Sequence, residues 1–236
     1  MTDLHAYVVA SDALTGSDRD AMFALMDLVY EGMARAVFEA DLATKDTVIV
    51  LRAPDGTLAG FSTQRTMSVR VADSTAQGVF SGDTVINPAH WGSPALLQAF
   101  SRHYIVERDE PFWWFLVSKG HRTYRFLTTF FTTFWPDRRS PTPVAAKAIM
   151  DAYATALFPD DYDPARGVLA YRHQKDRLRP GVAGVGERDL RNPDVAFFVE
   201  SNPGHALGHD LVCLCDLAPG NLKPHLRPFL LGRTCA

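Results

Sequence analysis

The sequence predicts a mixed α/β domain built on a mainly antiparallel sheet, and three features point there. Helix-spaced apolar stripes alternate with β-branched runs along the chain. Three strand-like runs, Thr47–Ala53, Leu58–Val71 and Gln77–Ile86, are separated only by turn residues, the pattern of an antiparallel meander. A later run, Pro111–Val117, is apolar at almost every position, as a strand covered on both faces must be.

Composition sets the outer limits. A chain of 236 residues can bury a substantial core, and 47% apolar with 22% charged residues suits a globular protein. Basic residues number 24 and acidic residues 27, a net charge of −3, which argues against a nucleic-acid partner. No apolar run reaches the roughly 20 residues of a membrane span. The start, Met1-Thr2-Asp3-Leu4-His5, lacks the basic and apolar segments of a signal peptide. Three cysteines, Cys213, Cys215 and Cys235, do not make a disulfide framework. The expectation is a soluble, cytoplasmic, bacterial-type enzyme with neither a nucleic-acid nor a membrane partner; a homodimer stays open.

In chain order, His5–Ala10 reads as a first strand. Ser17 is expected to cap a helix, with Asp20 in its first turn. Met22, Leu25, Met26, Val29, Met33 and Val37 form one apolar stripe at helical spacing. After the meander, with turns at Pro54-Asp55-Gly56 and Asp73-Ser74-Thr75, Ser93 and Pro94 signal the start of a helix that carries Leu96, Leu97, Phe100 and Tyr104. Pro111–Val117 is the buried strand, and His121–Trp135 reads as a helix stopped by Pro136. Residues 1–136 form the expected core, and the polar stretch after Pro136 opens an extension, 137–236. The extension holds a helix over Val144–Leu157, a short helix near Asp194–Glu200, and two late strands, Val168–His173 and Leu211–Leu217, that complete the sheet. Aromatic residues crowd the stretch from Phe112 to Trp135.

This order resembles the GNAT superfamily of N-acyltransferases. Phe80-Ser81-Gly82-Asp83-Thr84-Val85-Ile86 matches the family's fourth strand, and Phe112–Val117 its fifth. His90-Trp91-Gly92-Ser93, with the helix after it, takes the place of the pyrophosphate-binding loop. The resemblance implies a GNAT-like mixed, mainly antiparallel sheet flanked by helices. It implies transfer of an acyl group from a thioester, acyl-CoA or acyl carrier protein, to a small-molecule primary amine, with the pantetheine arm lying where the fourth and fifth strands separate. The loop departs from the family's pattern. It keeps only the first glycine, and Pro94 removes a phosphate-binding N–H, which is why a carrier protein stays open as donor.

Asp83, a carboxylate in an apolar strand, is the candidate base, and burial would raise its pKa. Tyr124, on the following helix, is the candidate acid for the departing thiolate by the same resemblance. Donor-binding candidates are Thr84, Val85 and Ile86, the loop residues His90, Trp91, Gly92 and Ser93, and Ser118, Lys119 and Arg122. Two other readings stand beside this one. One is a GNAT-shaped small-molecule-binding protein without transfer activity. The other is a metal-dependent enzyme using His205, His209 and Cys213, all zinc-ligand types. There, Cys213 and Cys215 are expected to face opposite ways, and no metal is the leading expectation. The glycine-rich stretch Gly181–Gly186 lacks the strand-to-helix context of a phosphate loop.

Overall fold

The computed structural model describes residues 4–171, 176–179, 182 and 184–232. Strand β1 (His5–Ala10) lies on the edge of the main sheet. Helix α1 (Gly16–Val29) is capped by Thr15 rather than Ser17. The sequence Thr15-Gly-Ser-Asp18 places Asp18 at the third helical position, where it bonds back to the cap N–H and completes a capping box. The Met22–Val37 stripe is not one helix. The chain leaves α1 into β2 (Tyr30–Glu31), turns at Gly32 with φ +86°, and restarts as α2 (Arg35–Leu42). Only a residue without Cβ adopts that conformation cheaply.

The meander follows as β3 (Thr47–Arg52), β4 (Leu58–Val71) and β5 (Ser74–Ile86), every pair antiparallel. Helix α3 (Ala95–Tyr104) leads to β6 (Phe112–Ser118), which pairs parallel with β5. Helix α4 (His121–Phe130) ends five residues earlier than the sequence suggests, and Phe134–Trp135 forms β7, paired to a later strand. Thr132 and Thr133 interrupt there, and their backbone N–H groups are taken by the carbonyl and side chain of Asn221.

The rest of the chain threads into the same sheet. Helix α5 (Val144–Leu157), β8 (Tyr162–Asp163), β9 (Val168–Leu169), β10 (Arg177–Leu178), α6 (Glu187–Leu190) and α7 (Pro193–Ser201) precede β11 (Asp210–Asp216), and α8 (Arg227–Leu231) follows. The sheet order is β1-β3-β4-β5-β6-β11-β9-β8, while β10 pairs with β2 in a separate ribbon. Of the expected strand Val168–His173, the structure gives Val168–Leu169, and residues 172–175 lie outside the described part. So do Gly181, part of the glycine-rich stretch, and Cys235.

Two layers of helices cover this sheet. On one face α3, α4, α7 and α8 pack over Val79, Trp114, Leu116 and Cys213. The other face is divided. Helices α1 and α2 cover Val48, Val50, Phe61 and Val85, whereas α5 covers Phe80, Phe115, Val212 and Leu214. This division accounts for much of the aromatic crowding. Strand β6 is sandwiched, sending Trp114 to one layer and Phe115, stacked on Tyr153 of α5, to the other.

Candidate active site

The parting of β5 from β6 begins with one extra residue. Strand β4 pairs Ser62 with Thr84 but Gln64 with Ser81, so Gly82 and Asp83 together oppose Thr63. Such a bulge bends its strand and ends regular pairing. The last β5–β6 pair is accordingly Ser81 with Leu116. Beyond it, Gly82–Ile86 stays with β4, while Val117 and Ser118 pair with β11, and the two strands diverge. Gly82 leaves room here for two side chains. A Cβ on it would meet Lys45 Cε at 2.6 Å and Thr63 Oγ1 at 2.7 Å. Lys45 is buried over the bulge, its ammonium donating to Asp41 Oδ1 at 2.6 Å and to Thr44 Oγ1 at 3.0 Å.

Register decides which backbone groups face the gap. Asn87 donates its N–H to Ala59 O, so residues 87 and 85 turn their polar groups toward β4. Residues 86 and 84, in alternation, turn theirs away from β4 and into the gap. Thr84 and Ile86 therefore present N–H and C=O to anything lying there. Val85 does not: its backbone pairs with Phe61 and its side chain is buried under α1 and α2.

The loop after β5 forms a 3₁₀ turn over Pro88–His90, then Gly92 at φ +87°, then Pro94 as the residue before α3. Ser93 Oγ accepts from Ala95 N at 3.3 Å, closing one of the free amides at the helix start. His90 is part-exposed. Trp91 donates its indole N–H to Ile86 O at 2.9 Å, and the Arg122 guanidinium of α4 lies 4.2 Å from its ring centroid. Together Ile86, Trp91 and Arg122 bridge the gap from the β5 side to the helix after β6.

Three more sequence-expected residues, besides Val85, are corrected. Ser118 is fully buried, with its hydroxyl 3.8 Å from Cys213 Sγ, so it is closed to a ligand. Lys119 points inward. Its ammonium lies 3.4 Å from Asp176 and 3.8 Å from Asp210, and donates to the carbonyls of Asp176 and Gly208 at 3.1 and 3.3 Å. Tyr124 is fully buried among Phe134, Phe197 and Phe198, and donates to Pro136 O at 3.0 Å. Burial pushes its phenol far above the usual range, and its proton is already engaged inside the core.

Asp83 is half-buried on the bulge. It neighbours Tyr30, whose phenol is pushed well up, first by burial and then by Asp83, Asp176 and Asp210. Tyr171 donates to Asp210 Oδ2 at 2.6 Å, and Lys119 stands 5.4 Å over the Tyr171 ring. Tyr30, carried by the β2–β10 ribbon, thus feels both Asp83 and the mostly buried cluster of Lys119, Asp176, Asp210 and Tyr171. Sequence reasoning missed Tyr30, Lys45, Thr63, Asp176 and Asp210. An isolated glycine within a strand pattern, Gly82, was the available sign of the bulge.

The histidine–cysteine stretch does not assemble. Cys213 and Cys215 are buried on the same face, as the two-residue period of a strand requires, and not on opposite ones. Burial pushes the Cys213 thiol up to about 12. The His209 ring packs on Gly204 instead, and no group of three metal-ligand side chains forms among the described residues.

No family model and no curated protein matches the sequence. Solved structures share parts of the fold. A GNAT family N-acetyltransferase, YhbS from Escherichia coli in complex with CoA, is 16% identical over 54% of this chain and 69% of its own, with a TM-score of 0.38. An acyl-CoA N-acyltransferase from Pseudomonas aeruginosa is 18% identical over 56% of this chain and 91% of its own, with a TM-score of 0.39. A conserved Enterococcus faecalis V583 protein, described as a probable N-acyltransferase, is 15% identical with a TM-score of 0.42; the match covers 56% of this chain and 33% of that one. This chain therefore spans a third of the enterococcal protein. What is shared is a partial likeness of fold.

Proposed function

We propose that this protein is an N-acyltransferase that moves an acyl group from a thioester to a primary amine. The observation that carries the reading is the separation of β5 from β6 after Ser81 and Leu116, with the backbone of Thr84 and Ile86 turned into the opening. A pantetheine arm, on coenzyme A or on a carrier protein, offers amides that such an edge can bind. The amine nitrogen attacks the thioester carbonyl carbon, the C–S bond breaks, and the sulfur leaves as thiolate. The amine loses one proton and the thiolate ends with one. Asp83, beside the gap, takes the proton from the amine, directly or through one water.

The test is release of free thiol from acetyl-CoA and longer acyl-CoAs in the presence of a panel of primary amines. Turnover is expected with at least one pair, and Asp83→Asn is expected to lower it about a hundredfold or more, the usual worth of a general base. Thiol release at the same rate without any amine, or an unaffected Asp83→Asn variant, sinks the mechanism. A second reading, a binding protein without transfer chemistry, is favoured by one observation: the Ile86 carbonyl is already occupied by Trp91. Coenzyme A binding without turnover on any amine would select it.

A further inference from the structure

The loop indole stands in the path of the ligand that the gap would take. We propose that Trp91 is a displaceable plug of the β5–β6 gap, which must swing out before a phosphopantetheine arm can enter. The proposal rests on the thioester-donor reading above.

Three observations carry it. Trp91 is 42% exposed, and no other aromatic ring packs against it among the described residues, so it is not a core anchor. Its position is fixed at two points, by the hydrogen bond to Ile86 O and by Arg122 over its ring. Those are the two groups an incoming arm needs: a carbonyl that faces the gap to accept an amide N–H, and a guanidinium to meet a phosphate. The indole therefore engages the same two groups that the ligand would engage.

The loop is also built to let it move. Gly92 follows directly at φ +87°, and a Cβ there would meet nothing within 4 Å, so open space surrounds the pivot. The contacts to be broken are individually modest: one exposed hydrogen bond to a carbonyl and one exposed cation–π pair. Ile86 is held by β4 through the Asn87–Ala59 bond whether Trp91 is docked or not. Displacement therefore leaves the strand edge intact and frees Arg122.

The experiment is calorimetric binding of coenzyme A, and of pantetheine 4′-phosphate, to wild type, Trp91→Ala and Trp91→Phe. Trp91→Ala is expected to bind both probes about tenfold tighter than wild type, since the plug no longer competes. Trp91→Phe, which keeps the ring and loses the N–H, should fall between. Equal or weaker binding by Trp91→Ala, with wild type binding normally, overturns the plug and leaves the donor reading standing. A gain for coenzyme A alone overturns the assignment to the phosphopantetheine arm. Failure of all three proteins to bind either probe overturns the donor reading and the plug with it. A second readout does not depend on the alanine variant folding. In wild type labelled with 5-fluorotryptophan, the fluorine resonance missing from Trp91→Phe belongs to Trp91. It should shift when coenzyme A is added, and its staying fixed while the probe binds overturns the displacement.

Discussion

Trp114 of β6 donates its indole N–H to the Ser81 hydroxyl of β5 at 2.9 Å, tying the two strands at the last register before they separate. Both groups are buried, so each depends on the other for its partner. Ser81→Ala leaves a buried indole N–H unsatisfied, which costs about 1–3 kcal/mol. Trp114→Phe costs more, through lost packing against Phe100 and Phe131. In chemical denaturation the double variant should be less destabilised than the sum of the singles. Strict additivity would show that the bond does not hold the fork.

Tyr124 separates a structural from a chemical role. Its hydroxyl is bonded to Pro136 O inside the core. Tyr124→Phe removes one hydrogen bond and leaves the ring in place, so about 0.5–1.5 kcal/mol of stability should go. The rate of acyl transfer, once measured, should stay within about twofold of wild type, since an acid catalyst is worth a hundredfold or more. A loss of that larger size with an unchanged thermal midpoint would restore Tyr124 to the chemistry.

The contrast between Tyr124 and Gly82 shows what the sequence could reveal. The meander, the buried strand read at Pro111–Val117 and the helices on either side of it were legible, because apolar periodicity is written locally, whereas the break of the Met22–Val37 stripe into α1, β2 and α2 was not. The helix over His121–Trp135 was read too long: Phe134 and Trp135 join β11, a partner 80 residues away. Lys119 was expected among the donor-binding residues, yet Asp176 and Asp210 from distant segments turn it inward. Asp83 could be singled out as an acid in an apolar strand. The bulge that sets it beside the gap needs Thr63 of β4 opposite, a pairing that no local pattern specifies.

His121, at the start of α4, gives the fold a pH dependence of known sign. Its folded pKa lies below the ordinary 6.5, first because it is buried; Arg122, Arg125 and His205 lower it further and Asp189 opposes them. His205 is lowered as well, by burial. In both cases the unfolded chain binds the proton more readily than the folded one. Their contribution is therefore fully present above about pH 6.5 and falls as pH drops below it toward the folded values. Thermal midpoints taken from pH 8 to pH 5 should decline more steeply for wild type than for a His121→Gln, His205→Gln variant. Parallel curves would mean that neither ring is held neutral by the fold.

Lys119 is held between two buried acids. Its side chain is 12% exposed, and Asp176 and Asp210 opposite it are 8% and 3% exposed. A cation between two buried carboxylates contributes little relative to an apolar cluster of the same shape, but removing it alone strands both acids. Lys119→Met should therefore cost about 3–5 kcal/mol, the usual penalty for breaking a buried pair. Adding Asp210→Asn should recover part of that loss, because the Tyr171 hydroxyl can still donate to the amide oxygen. Urea unfolding of the two variants decides it. A cost under about 1 kcal/mol for Lys119→Met, or no recovery in the double variant, would mean that these acids are neutralised by other means and that Lys119 does not organise the cluster.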